Sequence, residues 1–396
     1  MSARIVAALA AGWMGVCLVP VLGQSTAVQP GDPLPGITPV EFEQFRVGLE
    51  EFTAVGTIDE GFGPAFNGTS CAACHAVPAI GGISPITEFR VGYRSADGAF
   101  RPLDAAGNTL IHLFSLPNHV CQEVAPADAN VVARRMPIPL FGAGLVEAIP
   151  DETLLGMEDP LDRNRDGIRG RASMVTDPAT GERRVGRFGW KAQIATLLTF
   201  SGDAYRGEMG VTNAVFPTEL LFGISPDRLK ACKVTRDPED KVDPLTGLRA
   251  IEKFTLFMRF LVPVPRGPID ATVRNGEGLF ASAGCASCHV PTLTTGPSAN
   301  PLFNRKGVPL YSDLLLHDIG TGDGISQADS TALPDEIRTP ALWGLRFRRP
   351  LLHDGSAASV EDAIGRHHGE ADPARRSFVS LDPDSRSAFL AFLGSL

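Results

Sequence analysis

The sequence carries the same short motif twice: two cysteines three positions apart, with a histidine directly after the second. The two copies are Cys71-Ala-Ala-Cys74-His75 and Cys285-Ala-Ser-Cys288-His289. Three positions make slightly less than one helical turn, so both thiols of a copy lie on the same side of the chain. A fold for this chain must therefore present two equivalent sets of two thiols and one imidazole.

This motif is typical of covalent haem attachment, in which the thiols bind the vinyl groups and the histidine ligates the iron. Zinc is one alternative, but zinc sites normally pair two Cys-X-X-Cys units ~15–20 residues apart, and these motifs lie in opposite halves of the chain. A redox dithiol is another alternative, and it needs a βαβ context that the pattern lacks. We predict two c-type haems, bound through Cys71, Cys74, His75, Cys285, Cys288 and His289.

The composition limits the function classes. Lys and Arg number 36 against 45 Asp and Glu, which gives a formal net charge of −9 at pH 7, and no long basic run relieves it. Binding to nucleic acid or to an anionic membrane therefore has no electrostatic basis, whereas a basic protein partner is compatible with the negative charge of the chain. The 42 Gly and 32 Pro predict many loops around a packed core.

The amino terminus is typical of a secretory signal. An apolar stretch from Ile5 to Leu22 follows Arg4, so we predict a signal peptide over 1–23 and a periplasmic location. An uncleaved segment that tethers the protein to the membrane is the alternative, because the apolar run is close to the minimum length of a span. No later segment offers the ~18 consecutive apolar residues of a second span.

A predicted helix precedes each motif, and a similar apolar helix closes each half of the chain. Before the first motif, Thr38 and Glu41 form a capping box. Before the second, Gly276 and Gly278 would permit a close helix crossing. The closing helices contain 256–261 and 388–393. The similarity of the halves indicates an internal repeat.

The repeat predicts a mainly α fold with two cytochrome c-type haem modules in tandem. Residues 262–268, Val-Pro-Val-Pro-Arg-Gly-Pro, would separate them as a stiff linker. The N-terminal module then covers 24–262 and the C-terminal module 263–396. The N-terminal module carries an insertion at about 76–185, whose composition predicts loops and short strands.

The second axial ligand of each iron decides between electron transfer and catalysis. After Met258 the sequence has no Met, so a second ligand of the C-terminal haem would be a histidine. The candidates are His317, His353, His367 and His368, and at most one of the adjacent pair can face a haem from a helix. For the N-terminal haem the candidates are His112, His119, Met136, Met174 and Met209, or an open position for peroxide.

An open position needs an acid–base group for cleavage of the O–O bond. Glu208, just after a predicted helix over 190–205, is a candidate. A solvated carboxylate at a helix end is the alternative interpretation.

With these motifs in view, the chain resembles the bacterial di-haem cytochrome c peroxidase superfamily, which includes the methylamine-utilisation di-haem enzyme. Within it, the chain is most similar to the di-haem oxidoreductase branch, also labelled thiol oxidoreductase-like. The resemblance covers nearly all of the chain after the signal peptide. It is carried by 63–71 (GPAFNGTSC), 141–150 (FGAGLVEAIP), 186–192 (GRFGWKA), 208–213 (EMGVTN), 311–318 (YSDLLLHD), 338–344 (RTPALWG) and 353–355 (HDG).

The resemblance implies roles for several residues. Glu208 matches a glutamate that is the acid–base group for peroxide, and Trp190 matches a tryptophan between the two haems. In the family, the axial ligand of the C-terminal haem follows the histidine of an HDG-like turn by fourteen residues, which gives His367 when counted from His353. The peroxidases have Met there, so an imidazole implies a lower potential for the second haem.

The resemblance implies an exported di-haem c-type oxidoreductase. Its C-terminal haem would accept electrons from a small electron-transfer protein, a basic cytochrome or similar, and its N-terminal haem would reduce peroxide or another small oxidant. The chain departs from the peroxidases at Phe200, which stands at their distal Gln position, and in the insertion with Glu147, which they lack. Two alternatives therefore stay open: pure electron transfer, and oxygen-dependent oxidation of another substrate.

A weaker pattern concerns calcium. Asp162, Asn164 and Asp166 match the first three ligand positions of a calcium loop, although the last position is Ser173 rather than Glu. A polar turn is the alternative interpretation.

Cys121 and Cys232 are the two thiols left outside the motifs after the signal peptide. In an oxidising compartment they form either a disulfide or two buried free thiols.

Overall fold

The computed structural model describes residues 27–116, 120–232 and 238–396, so the predicted signal peptide lies outside the described residues. Helices are the main elements, which confirms the predicted mainly α class. The α-helices are α1 (Pro39–Thr53), α2 (Cys71–Cys74), α3 (Ala143–Glu147), α4 (Asp151–Leu155), α5 (Leu197–Met209), α6 (Pro226–Cys232), α7 (Ala250–Phe260), α8 (Ala271–Ser282), α9 (Val360–Gly365), α10 (Asp372–Val379) and α11 (Pro383–Ser395). Short 3₁₀ helices cover Ile58–Glu60, Cys285–Ser287, Leu345–Phe347 and Gly369–Ala371.

The strands are short and pair antiparallel. They are β1 (Ala65–Phe66), β2 (Glu88–Arg94), β3 (Phe100–Arg101), β4 (Phe114–Ser115), β5 (Val131–Arg135), β6 (Ser173–Thr176), β7 (Arg183–Gly186), β8 (Leu293–Thr294), β9 (Gly307–Val308), β10 (Leu316–His317) and β11 (Ile337–Arg338). The largest sheet has the order β3-β2-β5, and the others are the pairs β1-β4, β6-β7, β8-β9 and β10-β11. Most of the longer strands fall in the region 76–185, where the sequence predicts loops and short strands. Two short helices, α3 and α4, also lie there and were not predicted.

Two helix pairs cross closely, and each crossing is made at a glycine. Helix α1 packs on α7, where a side chain at Gly48 would overlap the carbonyl oxygen of Lys253. Helix α8 packs on α11, where a side chain at Gly276 would overlap the carbonyl oxygen of Ala388. The prediction for Gly276 is thus confirmed. The prediction for Gly278 is wrong, since a side chain there would meet nothing within 4 Å.

Each crossing also contains an aromatic pair. Phe52 of α1 packs on Phe257 of α7 with ring centroids 4.7 Å apart, and Phe280 of α8 packs on Phe392 of α11 with centroids 5.2 Å apart. One apolar core runs through the N-terminal half and includes Trp343 from the C-terminal half, while a second core surrounds Phe280. The two halves therefore bury part of their apolar surface against each other.

Helix α5 differs from its prediction. The sequence predicts a helix over 190–205, whereas α5 covers Leu197–Met209. The Thr196 side chain caps it by accepting a hydrogen bond from the Thr199 amide, and residues 188–196 instead form a turn with Gly189 and Ala192 at positive φ. As a result, Trp190 lies on the turn before the helix, and Glu208 lies in its last turn rather than after it.

Cys121 and Cys232 form a disulfide with a Cα–Cα distance of 6.2 Å, which decides between the two alternatives for these thiols. The bond joins the loop after residue 120 to the end of α6. The four motif cysteines take no part in a disulfide.

Candidate functional site

A cavity of about 160 Å³, here the N-terminal cavity, lies beside the first motif. The walls come from α2, α5, β2, β5 and the turn before α5. The predicted site residues on its wall are Cys71, Cys74, His75, Trp190 and Glu208. The structure therefore brings the first thiol pair, its histidine and the predicted acid–base group to one space.

A second cavity of about 360 Å³, here the C-terminal cavity, lies beside the second motif. The predicted site residues on its wall are Trp190, Cys285, Cys288, His289, His367 and Asp166, the last from the candidate calcium loop. Two arginines, the buried Arg338 and the half-buried Arg348, also line it. Burial lowers the pKa of each guanidinium to about 10, so both remain charged at neutral pH.

The two motif histidines have the same surroundings. His75 Nδ1 lies 2.9 Å from the Gly82 carbonyl oxygen, and His289 Nδ1 lies 3.0 Å from the Tyr311 carbonyl oxygen. Each ring also packs on a phenylalanine of the preceding helix, Phe52 or Phe280, with centroids 6.2 Å apart. Because a carbonyl oxygen only accepts, Nδ1 is the donor in each bond and Nε2 is left with its lone pair available.

Burial lowers the pKa of both motif imidazoles to about 4, so both are neutral at pH 7. A neutral imidazole with a free Nε2 is the form that ligates a metal ion. Burial also raises the pKa of the first thiol of each motif, Cys71 and Cys285, to about 12. Two thiols and an oriented, neutral imidazole on one cavity wall fit covalent attachment of a haem in each cavity.

Three residues line both cavities: Met136, Pro137 and Trp190. Trp190 is buried, and its Nε1–H donates to the Met136 carbonyl oxygen at 2.8 Å. Its ring meets the ring of His353 edge-on with centroids 6.1 Å apart, and the Met136 amide donates to the His353 carbonyl oxygen at 2.7 Å. The shared wall is therefore a hydrogen-bonded unit with an indole between the two cavities.

The candidates for a second ligand in the C-terminal cavity differ in their surroundings. His367 Nδ1 lies 2.7 Å from the Ala363 carbonyl oxygen, which leaves Nε2 available as in the two motif histidines. Both ring nitrogens of His317 are engaged, by Asp313 at 2.9 Å and Glu370 at 2.8 Å. His353 and His317 line the same cavity, whereas the lining does not include the exposed His368.

The candidates for the N-terminal cavity separate as well. Met136 and Met209 line it, and so does Met258, which the sequence did not suggest. His112 is buried against Glu123 and Met174 lies on β6, and neither is part of the lining. His119 lies outside the described residues.

Glu208 does not stand alone in the N-terminal cavity. Its Oε2 accepts a hydrogen bond of 2.9 Å from the Asn67 side-chain amide. Its carboxyl group also meets that of Glu88, which the sequence reasoning missed. Burial and the charge of Glu88 raise the pKa of Glu208 well above its usual value of 4.5. Glu88 lies beside Arg90 in an ion pair of 2.7 Å, and both line the cavity.

A buried cluster of charges supports the shared wall. Asp323 accepts from Arg135 Nε at 2.7 Å and pairs with Lys191 Nζ at 3.0 Å, and all three side chains are at most 3% exposed. Lys191 also donates to three backbone carbonyl groups of 333–336. Because Lys191 follows Trp190 directly, the cluster fixes the turn that carries the indole.

The candidate calcium loop lies on the surface. Asp162 Oδ1 accepts from the Gly167 amide at 3.1 Å, and Asp166 Oδ1 accepts from the Ile168 amide at 2.8 Å. The Asn164 side chain donates to Asp166 at 2.9 Å. Over the ranges that the structure describes, the one group of three close metal-ligating atoms lies elsewhere, at Cys288, Asp313 and His317. Calcium stays a prediction.

Comparison with known proteins places the chain in a family. Residues 119–396 match the family model for di-haem oxidoreductases, whose description gives peroxidase as a candidate activity. This is well over half of the chain. The chain belongs to the di-haem oxidoreductase family. The resemblance drawn from the motifs is thereby confirmed, and the protein is an enzyme of this family. Its two cavities fit the two haems that the family name states.

Individual relatives are more distant. The methylamine utilisation protein MauG of Methylorubrum extorquens is 30% identical over 135 residues, which are 32% of this chain and 35% of MauG, so the match spans about a third of that relative. The diheme peroxidase BthA of Burkholderia thailandensis is 14% identical, with 92% of this chain and 86% of that chain covered and a TM-score of 0.40. A MauG-like protein associated with microbial copper homeostasis is 19% identical, with 71% and 94% covered and a TM-score of 0.33.

In the part of the oxidoreductase that the structure describes, no helix combines the length and the apolar character that crossing a membrane requires.

Proposed function

We propose that the protein is a periplasmic di-haem c-type oxidoreductase that reduces peroxide at its N-terminal cavity with electrons received through its C-terminal cavity. The two halves, 24–262 and 263–396, would then be two cytochrome c-type haem modules in tandem. When bound, the two haems would supply the one-electron transfers and the reaction with peroxide. The chain would attach and orient the two haems, hold them apart and supply the protons.

The attachment residues are the two motifs. Cys71 and Cys74 would hold the N-terminal haem, with His75 as the iron ligand. Cys285 and Cys288 would hold the C-terminal haem, with His289 and His367 as ligands. The support for this assignment is that all three imidazoles have Nδ1 at a backbone carbonyl oxygen and Nε2 free.

The observation that carries the proposal is the shared wall. Trp190 lines both cavities and is held by the Met136 carbonyl oxygen on one side and the Lys191–Asp323 pair on the other. An electron that moves between two redox sites must cross the protein between them. A fixed aromatic ring in that space shortens the part of the path that has no π-system. A single-haem cytochrome would have no use for such a wall, whereas a two-site enzyme requires it.

Glu208 supplies the acid–base group. Reduction of peroxide consumes protons as the O–O bond breaks, so a group that holds a proton at neutral pH is needed at the cavity wall. Burial and the negative charge of Glu88 raise the pKa of Glu208, so Glu208 keeps its proton at a pH at which an ordinary glutamate is ionised. The donor is a small basic electron-transfer protein, because the net charge of −9 favours encounter with a partner of opposite charge.

A peroxide-dependent assay tests the proposal. The wild type and the variants Glu208→Gln and Glu182→Gln are mixed with a reduced small cytochrome, and its oxidation is followed with and without peroxide. Glu182 is an exposed carboxylate on the β6–β7 turn and serves as the control. We expect Glu208→Gln to lose at least tenfold in rate, since acid–base groups contribute about 10²–10⁴-fold. Equal background rates in the wild type and Glu208→Gln would overturn the proposal.

One observation favours a second candidate, pure electron transfer. Met136, Met209 and Met258 all line the N-terminal cavity, and a thioether there could fill the position needed for peroxide. This candidate requires both irons to be six-coordinate at all potentials. A stable high-spin ferric signal in the electron paramagnetic resonance spectrum would exclude it.

A further inference from the structure

We propose that Glu88 is the positioning residue for Glu208, and that the two carboxyl groups share one proton at the wall of the N-terminal cavity. In this pair Glu88 stays ionised beside Arg90, and Glu208 holds the proton. The inference deepens the proposed function, because it states what supplies the proton at the peroxide site.

The position of Glu88 follows from its strand. Residues two apart on a strand point to the same face, so Glu88 and Arg90 of β2 both face the cavity. Arg90 Nε lies 2.7 Å from Glu88 Oε2, while Arg90 Nη1 donates to Thr109 Oγ1 at 3.0 Å. The β2–β5 register places Arg135 directly opposite Glu88. The negative charge of Glu88 is therefore held in place by two cations.

Glu208 is held from the other side by Asn67. The Asn67 side-chain amide donates to Glu208 Oε2 at 2.9 Å, and the Asn67 backbone amide donates to the Glu208 carbonyl oxygen at 2.8 Å. Asn67 Oδ1 accepts from the Leu113 amide at 2.9 Å, so its NH₂ group must be the end that faces Glu208. The remaining hydrogen-bonding partner of the Glu208 carboxyl group is Glu88.

Two carboxylates cannot form a hydrogen bond with each other unless one of them carries a proton. The pair therefore titrates as a unit with one proton and one negative charge. Burial opposes ionisation of Glu88, but the charge and the hydrogen bond of Arg90 outweigh it and lower the pKa of Glu88 to about 2. Burial and the Glu88 charge raise the pKa of Glu208. The proton thus belongs to Glu208.

Other charged or titratable groups near the pair come from each neighbouring element. On the cavity wall they are Arg90 of β2, Arg135 of β5, Asp203 and Tyr205 of α5, Cys71 and Cys74 of α2, and His75. The two strand arginines lie on the Glu88 side, which reinforces the placement of the charge there. Bound to the haem as thioethers, Cys71 and Cys74 would add no charge.

The chemical consequence concerns proton supply. Reduction of hydrogen peroxide to two waters takes up two electrons and two protons as the O–O bond breaks. The electrons come from the small electron-transfer protein, and Glu208 donates one proton to the departing oxygen. The negative charge of Glu88 then favours transfer of a proton from solvent to Glu208. The second proton therefore also passes through Glu208. A lone glutamate with its usual pKa would be ionised at neutral pH and would lack the first proton.

Infrared spectroscopy of the oxidised holoprotein tests the pair without peroxide. The C=O stretch of a protonated carboxyl group is followed against pH in the wild type, Glu208→Gln, Glu88→Gln and Asp203→Asn. Asp203 is the control for a second buried carboxyl group, since it lines the same cavity and burial raises its pKa as well. Any band that Asp203 contributes is identified by its loss in Asp203→Asn. We expect a band at neutral pH that Glu208→Gln abolishes, that Glu88→Gln shifts to a lower titration midpoint, and that Asp203→Asn leaves in place.

The absence of such a band from the wild type at neutral pH would overturn the inference. This result comes from the wild type alone and does not depend on whether any variant folds. An unchanged midpoint in Glu88→Gln, or an equal shift in Asp203→Asn, would also overturn it. The expected bands in a protein without peroxide-dependent activity would instead refute the proposed function and leave the pair established.

Discussion

The close crossing of α8 and α11 yields a quantitative prediction about stability. A methyl group at Gly276 would overlap the Ala388 carbonyl oxygen, and it would lie 2.9 Å from the Cβ of Phe392. Backbone atoms cannot move aside as a flexible side chain can, so Gly276→Ala must push the two helices apart. Overpacking of this kind costs about 1–3 kcal/mol, and the backbone overlap places this site toward the upper end.

Gly278→Ala is the matched control in the same helix, because a methyl group there meets nothing within 4 Å. Replacing Gly by Ala inside a helix stabilises it by about 0.5–1 kcal/mol. This gain applies to both variants and cancels in their difference, so the difference in the free energy of unfolding isolates the packing cost. We expect Gly276→Ala to be less stable than Gly278→Ala by about 1–3 kcal/mol.

Urea unfolding of the holoprotein, followed by circular dichroism, measures the difference as a shift in midpoint at constant slope. Loss of the α8–α11 contact should also disturb Phe280, which packs on His289. A change in the haem absorption of Gly276→Ala before global unfolding would report this. Equal stability of the two variants would refute the reasoning.

Three further outcomes are expected from the structure. Asp323→Asn leaves two buried cations without their anion and should cost about 3–5 kcal/mol in urea unfolding, whereas a cost under about 1 kcal/mol would contradict the burial of the cluster. Cys121→Ser opens a loop closed over 111 residues and should cost about 2–4 kcal/mol; an equal loss in the reduced wild type is the control. Because the pKa of Glu208 is raised in the folded state above its usual 4.5, its contribution to stability is complete at acidic pH and is lost as pH rises through the raised value. Glu208→Gln should flatten this decline, and an unchanged profile would count against it.

Much of the site could be predicted because the information is local. The Cys-X-X-Cys-His spacing fixes the thiols and the imidazole on one turn, whatever the rest of the chain does. The caps are local too: Thr38 and Glu41 form the predicted capping box of α1, and Asp382 caps α11 from the position directly before it. The crossing glycine Gly276 was recognised from its place before the motif.

The parts that could not be predicted depend on contacts between distant segments. The turn before α5 is fixed by Lys191, whose partners are Asp323 and carbonyl groups of 333–336, and a local pattern carries no sign of them. Gly278 resembles Gly276 in sequence, yet it faces away from α11 because residues two apart on a helix do not share a face.

Glu88 was missed for the same reason. On its own, the alternation of Glu88 and Arg90 is an ordinary feature of a short exposed strand. Its meaning appears only when β2 pairs with β5 and the last turn of α5 brings Glu208 to the same cavity. The spacing of Glu88 and Arg90, two apart on a predicted strand, was a signal in the sequence. It does not indicate that Glu208 is the partner of Glu88.

The central claim is that the two cavities hold two haems with different iron coordination. Electron paramagnetic resonance and optical spectra of the oxidised and half-reduced holoprotein test it most directly, with His367→Met beside the wild type. In the wild type, the account predicts a high-spin ferric signal from the N-terminal haem and a low-spin signal from the haem bound by His289 and His367. In His367→Met, it predicts a raised reduction potential of the C-terminal haem and an unchanged potential of the N-terminal haem. Two low-spin signals at all potentials, or an unchanged pair of potentials in His367→Met, would contradict it.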